Sequence, residues 1–198
     1  MIKLLNNSNE KPYKIFRKKY EEATLLNQKN IEAICISSFS KNLNQVNSRF
    51  VNLKMLDNKN FIFFSNYNSP KSREFNEHNQ ITALFFWNST NTQIRMKGFI
   101  EKTSKEFNDE FFSKRSKKKN ALALSSNQSK LIDSYESVKK KYNNMLRSGN
   151  LKKCPDYWGG YYFSPFYFEF WEGHDSRLNK REVFELVEGE WSEYMLEP

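Results

Sequence analysis

The feature that most constrains the fold is a series of short β-prone runs joined by polar turns. Residues 49–56 (RFVNLKML) alternate between apolar and polar side chains, and residues 60–67 (NFIFFSNY) are rich in aromatic residues. The polar DNKN stretch predicts the turn of a hairpin between them. Three more runs, 32–39, 81–88 and 92–104, predict further strands. No strand–helix unit repeats along the chain, which argues against a doubly wound parallel sheet.

The C-terminal part of the chain returns to strand-like sequence. Residues 152–173 are strongly aromatic, and residues 182–198 predict a closing hairpin around Glu188-Gly189. Helices are predicted at 12–29, 69–79, 105–115 and about 128–147. Six or seven strands with helices between them fit a small antiparallel barrel, a mainly β fold with peripheral helices (α+β). We expect one domain over residues 1–198, with residues 1–11 as a disordered or loosely packed tail.

The charge balance favours an anionic partner. The chain has 32 Lys and Arg against 23 Asp and Glu, which suits nucleic acid, phosphate esters or an acidic membrane. The basic runs at 115–120 and 139–142 are typical of solvated surface. Aromatic residues lie in apolar runs and do not alternate with basic residues, and no stretch is long and apolar enough to span a bilayer. We therefore expect neither a nucleic-acid nor a membrane partner, and a cytoplasmic location without a signal peptide.

Several catalytic classes lack their residues. Cys35, Cys154, His78 and His174 are isolated from one another in sequence, so no zinc or other metal site is predicted. No dinucleotide-binding glycine motif, phosphate-binding loop or HExxH motif is present.

Cationic and amide side chains on predicted strands and loops remain as the candidate chemistry. Trp171 ends an aromatic run, and Arg177 and Arg181 follow it four residues apart, a spacing that puts both on one face of a strand or a helix. Cations suit a phosphate, and an amide or arginine beside a ring suits a heteroaromatic molecule. The full set is Arg49, Lys54, Lys71, Gln93, Arg95, Gln128, Arg177 and Arg181.

Six segments in one order resemble the pyridoxine/pyridoxamine 5'-phosphate oxidases. They are RFVNLK (49–54), FIFFSNYNSPK (61–71), TQIRMKG (92–98), SSNQS (125–129), YWGGY (157–161) and FEFWEGHDSRLNKR (168–181). The resemblance covers roughly residues 12–198 and ends in WSEYMLEP. It implies a split β-barrel that binds flavin mononucleotide (FMN) and works as a homodimer, with the flavin at the subunit interface.

The resemblance also implies a set of flavin ligands. Arg49 and Lys71 would meet the phosphate, Gln93 would face the polar edge of the ring, and Trp171 and Arg181 would come from the other subunit. The implied cofactor-binding residues are Arg49, Phe50, Val51, Asn52, Leu53, Lys54, Phe64, Ser65, Lys71, Gln93, Gln128, Ser129, Trp171 and Arg181.

The implied substrate site departs from the family pattern. Its residues are Lys54, Phe111, Arg115, Lys119, Arg177 and Asn179, with Arg177 as the catalytic residue that faces the substrate. Phe111 stands where the family has tyrosine, Lys119 where it has serine, and Asn179 where it has histidine; Pro70 replaces an arginine on the flavin side. Either Lys119 replaces the lost phosphate contacts by charge, or the pocket serves another molecule.

The resemblance predicts an FMN-dependent oxidase of pyridoxamine or pyridoxine 5'-phosphate that produces pyridoxal 5'-phosphate and hydrogen peroxide. Its small-molecule partner would be a phosphorylated B6 vitamer. Two alternatives remain open at this point: an FMN-dependent oxidoreductase of the same family with a different substrate, and a flavin-binding protein without turnover.

Overall fold

The computed structural model describes the backbone of residues 1–198 and every side chain except that of Ser148. Along this chain lie nine strands, five α-helices and a 3₁₀ turn at Asn88–Thr90. The strands are β1 (Lys3–Leu5), β2 (Ala33–Ser40), β3 (Gln45–Asp57), β4 (Asn60–Asn66), β5 (Gln80–Trp87), β6 (Thr92–Lys102), β7 (Trp158–Glu172), β8 (Lys180–Val187) and β9 (Glu190–Leu196). The helices are α1 (Lys11–Leu25), α2 (Pro70–Glu77), α3 (Lys105–Lys114), α4 (Lys117–Ser125) and α5 (Tyr135–Ser148).

Six of the strands close into a barrel. Their order is β3-β2-β5-β6-β7-β4, and β4 pairs back with β3 to complete the ring. All six pairings are antiparallel. The prediction of a split-barrel α+β fold is confirmed. Strands β8 and β9 extend the sheet beyond β7 as the predicted closing hairpin.

Alternation along the strands builds the core. Side chains at every second position of β2, β6 and β7 point into the barrel and are buried: Ile34, Ile36, Ile94, Met96, Phe168 and Phe170. Helix α1 packs on the same core through Tyr13, Phe16 and Tyr20, whose spacing puts them on one helix face. Helix α1 ends four residues before its predicted end, because the left-handed backbone of Asn27 (φ 55°) stops it.

The N-terminus differs from its prediction. Residues 3–5 form β1, which pairs in parallel with Met55–Asp57 of β3. Ile2 is only 5% exposed, and its backbone N–H donates to the Tyr20 hydroxyl at 2.8 Å. A disordered or loosely packed tail is therefore wrong for this part of residues 1–11, because burial of Ile2 fixes the chain. A three-residue strand leaves too little alternation for the sequence pattern to reveal.

The helical region between β6 and β7 also differs. The helix predicted over about 128–147 forms as α5 at Tyr135–Ser148, and α4 at Lys117–Ser125 is an additional helix that was not predicted. Ser134 caps α5 by accepting a hydrogen bond from the Ser137 N–H at 3.2 Å, so α5 begins at residue 135. The lysine run of 115–120 is the start of a helix that is anchored by buried Asn120 and Ala121. In the described part of the chain, no helix is both long and apolar enough to cross a bilayer.

Candidate functional site

A cavity of about 570 Å³ opens between the β3–β4 side of the barrel and helices α3 and α4. Eleven of the residues predicted from the resemblance line it: Phe50, Val51, Asn52, Lys54, Phe64, Ser65, Lys71, Phe111, Arg115, Lys119 and Gln128. Residues distant in sequence thus meet at one place. The lining includes four cationic side chains and, among its described residues, no carboxylate. Such a cavity favours a ligand with negative charge.

Lys71 forms one pole of this cavity. It lies in the first turn of α2, where Pro70 fixes the entry of the chain into the helix. Lys71 Nζ donates to Ser65 Oγ at 3.2 Å and to Ser69 Oγ at 3.3 Å, and the side chain is only 8% exposed. Burial lowers its pKa, the nearby Arg49 charge lowers it further, and Glu74 opposes both effects. A buried ammonium that has hydroxyl partners is one that an anion would stabilise.

Lys54, Arg115 and Lys119 form the other pole. A register shift between Leu53 and Met55 interrupts the pairing of β3 with β4 at Lys54. Burial lowers the pKa of Lys54, and the charges of Lys119 and Arg115 add to this, against the opposing effect of Glu32. Lys119 and Arg115 are therefore close enough to Lys54 to repel its ammonium, and a bound anion would relieve this repulsion.

Arg115 is held in place by its surroundings. Its Nη1 donates to the Lys119 carbonyl at 3.1 Å and to Asn120 Oδ1 at 3.3 Å. Its guanidinium lies over the Trp158 ring, 4.9 Å from the ring centroid. Asn120 in turn donates to the carbonyls of Phe112 (2.8 Å) and Leu151 (2.7 Å). The end of α3, the start of α4 and the segment after α5 are thus tied together behind the cationic pole.

Three aromatic rings of the cavity lining stack on one another. Phe64 lies almost parallel to Phe111, with ring centroids 3.8 Å apart, and to Trp158, at 5.0 Å. This aromatic cluster gives the cavity an apolar side next to its cations, and the combination suits an aromatic ligand that carries phosphate.

Some lining residues were not predicted: Asn66, Leu122, Ala123, Ser126 and Trp158. Trp158 belongs to the YWGGY segment, so the resemblance contained a signal for it. Leu122 and Ala123 lie on α4, which the sequence pattern did not indicate.

Six predicted flavin ligands do not line the cavity, and three of them are Arg49, Leu53 and Ser129. Arg49 donates from Nη2 to Glu74 Oε2 and from Nη1 to Ser38 Oγ, both at 2.6 Å. The hydrogen bonds from Ser38 and Arg49 outweigh the effect of burial and hold the pKa of Glu74 below its usual value. Leu53 is fully buried in the barrel core, so its side chain is not free to contact a ligand. Ser129 is exposed and has left-handed backbone (φ 64°).

Gln93, Trp171 and Arg181 form a separate group. They are register neighbours on β6, β7 and β8, so their side chains leave the same face of the sheet, but none of them lines the cavity. Arg181 pairs with the buried carboxylate of Glu169 (Nε to Oε1, 2.9 Å) and donates to the Glu197 carbonyl at 3.0 Å. Glu169 also pairs with Arg95. Arg181 is thus held in one orientation by a carboxylate that it shares with Arg95.

Arg177 and Asn179 lie on the loop between β7 and β8, also outside the cavity lining. Arg177 is exposed, with left-handed backbone (φ 63°) and its N–H bonded to the His174 carbonyl at 2.9 Å. Asn179 Oδ1 accepts from the His174 N–H at 3.1 Å, which closes the loop. Among the described side chains, no group of three or more His, Cys, Asp or Glu is arranged to hold a metal ion.

The chain matches two family models. Residues 20–146 match pyridoxamine 5'-phosphate oxidase, and residues 158–198 match the C-terminal dimerisation region of pyridoxine 5'-phosphate oxidase. Pyridoxine/pyridoxamine 5'-phosphate oxidase of Colwellia psychrerythraea is 33% identical over 97% of this chain and 89% of the relative. The protein of that name from Cytophaga hutchinsonii is 38% identical over 85% of this chain and 83% of the relative.

Two solved structures share the fold at lower identity. PhzG from Burkholderia lata, solved with tetrahydrophenazine-1-carboxylic acid, has a TM-score of 0.90 at 23% identity and covers 95% of this chain and 93% of its own. A pyridoxamine 5'-phosphate oxidase-related, FMN-binding protein from Nostoc punctiforme has a TM-score of 0.76 at 12% identity, over 92% and 97%. The family models and the relatives above 30% identity give the assignment: the chain belongs to the pyridoxamine 5'-phosphate oxidase family.

Proposed function

We propose that the protein is an FMN-dependent oxidase that uses oxygen to convert pyridoxamine or pyridoxine 5'-phosphate into pyridoxal 5'-phosphate and hydrogen peroxide, with uptake of water and release of ammonia when the substrate is the amine. The observation that carries this proposal is the cavity with four cations, no carboxylate among its described lining residues, and a cluster of stacked aromatic rings. Two separated cationic poles suit two phosphates, one from the cofactor and one from the substrate.

The Lys71 pole fits the FMN phosphate. Lys71 is buried, with hydroxyl partners at 3.2 and 3.3 Å, and a phosphate dianion would complete its surroundings. Ser65 and Gln128 line the same cavity and would add hydrogen bonds. Arg49 already pairs with Glu74. It would therefore act on the phosphate at longer range, through its positive charge near Lys71. When bound, FMN supplies the hydride acceptor and the route to oxygen.

The ring side of the site would be completed by a second copy of the chain. Gln93, Trp171 and Arg181 share one row on the sheet, away from the lining of the cavity. Trp171 and Arg181 fall within residues 158–198, which match a dimerisation region. Homodimerisation would bring them to the partner's cavity, where Glu169 holds the Arg181 guanidinium ready to face the polar edge of the ring.

The other pole would hold the substrate. Lys54, Arg115 and Lys119 would bind its phosphate, and Phe111 would support its ring. Arg177 and Asn179 would reach the substrate from the partner's loop, with Arg177 covering the reacting carbon. The role of these side chains is to fix the substrate over the cofactor and to exclude water, because orientation accounts for much of the rate in such reactions.

The altered pocket supports a second candidate, an oxidoreductase of the same family with a different anionic aromatic substrate. Phe111 stacks on Phe64 at 3.8 Å and offers no hydroxyl to a phosphate. This candidate predicts feeble turnover of pyridoxamine 5'-phosphate that improves when Phe111→Tyr, Lys119→Ser and Asn179→His are combined. The proposed function predicts brisk turnover by the unmodified protein.

The test begins with the purified full-length protein. Flavin released by denaturation should co-migrate with FMN on chromatography, and the protein should form pyridoxal 5'-phosphate and hydrogen peroxide in equal amounts from pyridoxamine 5'-phosphate. A colourless protein that stays colourless after FMN titration would refute the cofactor assignment. A yellow protein without turnover of either vitamer would refute the oxidase assignment alone.

A further inference from the structure

The positive charge of this protein is concentrated in one segment. Residues 115–153 contain eleven Lys and Arg but two Asp and Glu, a formal charge of +9, which equals the net charge of the whole chain. The remaining residues hold 21 cations and 21 anions, so they are balanced. Biased composition alone would spread the excess along the chain. The placement of the segment therefore decides where the field of the molecule is strongest.

This segment forms one side of the candidate cavity. Arg115, α4 and the residues that follow it supply lining side chains, among them Lys119 and Gln128. Helix α5 packs against α4. Its partly buried face carries Val138, Tyr142, Met145 and Leu146, at helical spacing. Lys140, Lys141 and Arg147 are exposed, and among the described side chains they have no carboxylate within ion-pair distance.

We infer that residues 115–153 form a basic collar that steers dianionic phosphate ligands into the cavity. The inference rests on the proposed function, because it takes FMN and phosphorylated vitamers as the ligands. Helix α5 lies one helix layer behind the lining residues of α4, and packed helices lie about 8–10 Å apart from axis to axis, well within the Debye length of about 30 Å at 0.01 M salt. Lysines on α5 therefore act on an approaching anion without touching the bound one.

Charge alone also suits nucleic acid, but the arrangement favours a small anion. The excess charge lies beside a cavity of about 570 Å³, and three of the four cations that line this cavity are buried or partly buried: Lys54, Lys71 and Arg115. An electrostatic field that converges on such a cavity raises the rate at which a small anion enters it. The summed charges of a whole protein raise such rates by roughly 10- to 1,000-fold. A nucleic acid would be held by exposed cations along its backbone and would not need the buried ones.

The test compares two triple variants with equal net charge. Lys140→Gln, Lys141→Gln and Arg147→Gln remove three charges from the collar. Lys14→Gln, Lys29→Gln and Lys41→Gln remove three exposed charges from elsewhere on the protein. Association of FMN with each flavin-free full-length protein is followed by quenching of flavin fluorescence in stopped flow, from about 10 mM to about 500 mM salt. Riboflavin, which lacks the phosphate, is the neutral probe.

The collar variant should bind FMN about threefold to tenfold more slowly than wild type at low salt. The difference should vanish at high salt, with an unchanged dissociation rate and unchanged riboflavin association. The control variant should keep the wild-type rate.

Equal slowing in both variants, or equal slowing for riboflavin, would overturn the inference. Tight binding of duplex DNA or RNA at physiological salt that only the collar variant loses would assign the surface to nucleic acid and overturn it as well. Turnover of pyridoxamine 5'-phosphate is measured separately, so the proposed function can fail while the FMN rates still decide this inference.

Discussion

Replacing Lys71 by methionine has two separate effects, one on the stability of the flavin-free protein and one on its affinity for FMN. Lys71 is 8% exposed, and the described hydrogen-bond partners of its ammonium are the hydroxyls of Ser65 and Ser69. Methionine keeps most of the length of the side chain and removes the charge. We expect the flavin-free variant to be as stable as wild type or more stable, by up to about 2 kcal/mol, because the incompletely compensated buried ammonium is gone.

The same substitution should weaken FMN binding. A charge-assisted contact between lysine and phosphate contributes about 1.5–3 kcal/mol, so the FMN dissociation constant should rise roughly 10- to 150-fold. Unfolding by urea of the flavin-free proteins measures the first effect, and fluorescence titration with FMN measures the second. Arg73→Met, an exposed position on the same helix, is the matched control and should change neither quantity by much.

The difference in stability between wild type and the Lys71→Met variant should depend on pH. The folded-state pKa of Lys71 is lowered, chiefly by burial, so the protonated form is disfavoured in the folded protein. The free-energy cost of burying the protonated lysine is fully present below the folded-state pKa. This cost declines as the pH rises from that pKa toward the ordinary pKa of lysine. The stability gap between variant and wild type should therefore narrow in the alkaline range. A flavin-free variant that is less stable than wild type by more than about 1 kcal/mol, with unchanged FMN affinity, would refute the reasoning.

Three further predictions concern the other pole and the Arg49 pair. Lys119→Ala should raise the KM for pyridoxamine 5'-phosphate about tenfold with a smaller loss in kcat, measured by steady-state kinetics, because Lys119 lines the cavity and its charge acts on Lys54. Phe111→Tyr should lower that KM by adding a donor; an unchanged KM would mean that the hydroxyl does not reach the phosphate. Glu74→Gln should cost about 1–3 kcal/mol of stability at neutral pH by leaving Arg49 incompletely paired. Because the pKa of Glu74 is lowered, its contribution is present above the ordinary carboxyl value and is lost as the pH falls through the folded-state pKa, so the gap to wild type should shrink in acid.

Alternation made most of the barrel readable from the sequence. The β3–β4 hairpin and the closing β8–β9 hairpin carry β-prone apolar residues on both sides of a polar turn, and both form as predicted. Helix α4 was not predicted from the sequence, because its apolar residues, 121–124, are consecutive and form no stripe along one face of a helix. β1 was missed because it is three residues long and depends on β3 for all of its pairing.

The site was predictable where one stretch of chain supplies it. Residues 50–52, Lys54 and Lys71 line one cavity, and their roles as ligands stay predictions. The pairing of Arg49 with Glu74 joins residues 25 positions apart, and no local pattern records it. Likewise, the sequence does not reveal that Arg181 and Arg95 share the buried Glu169. Such pairings depend on sheet register and burial, which only the folded chain defines.

The central claim is that this protein uses FMN to oxidise a phosphorylated B6 vitamer. The most direct measurement mixes the FMN-loaded protein with pyridoxamine 5'-phosphate in the absence of oxygen. The proposal predicts that the visible flavin absorption is lost and that one equivalent of pyridoxal 5'-phosphate forms per flavin, with the absorption restored when oxygen is admitted. A protein that binds FMN in full but keeps its flavin absorption unchanged at saturating pyridoxamine and pyridoxine 5'-phosphate would contradict the claim.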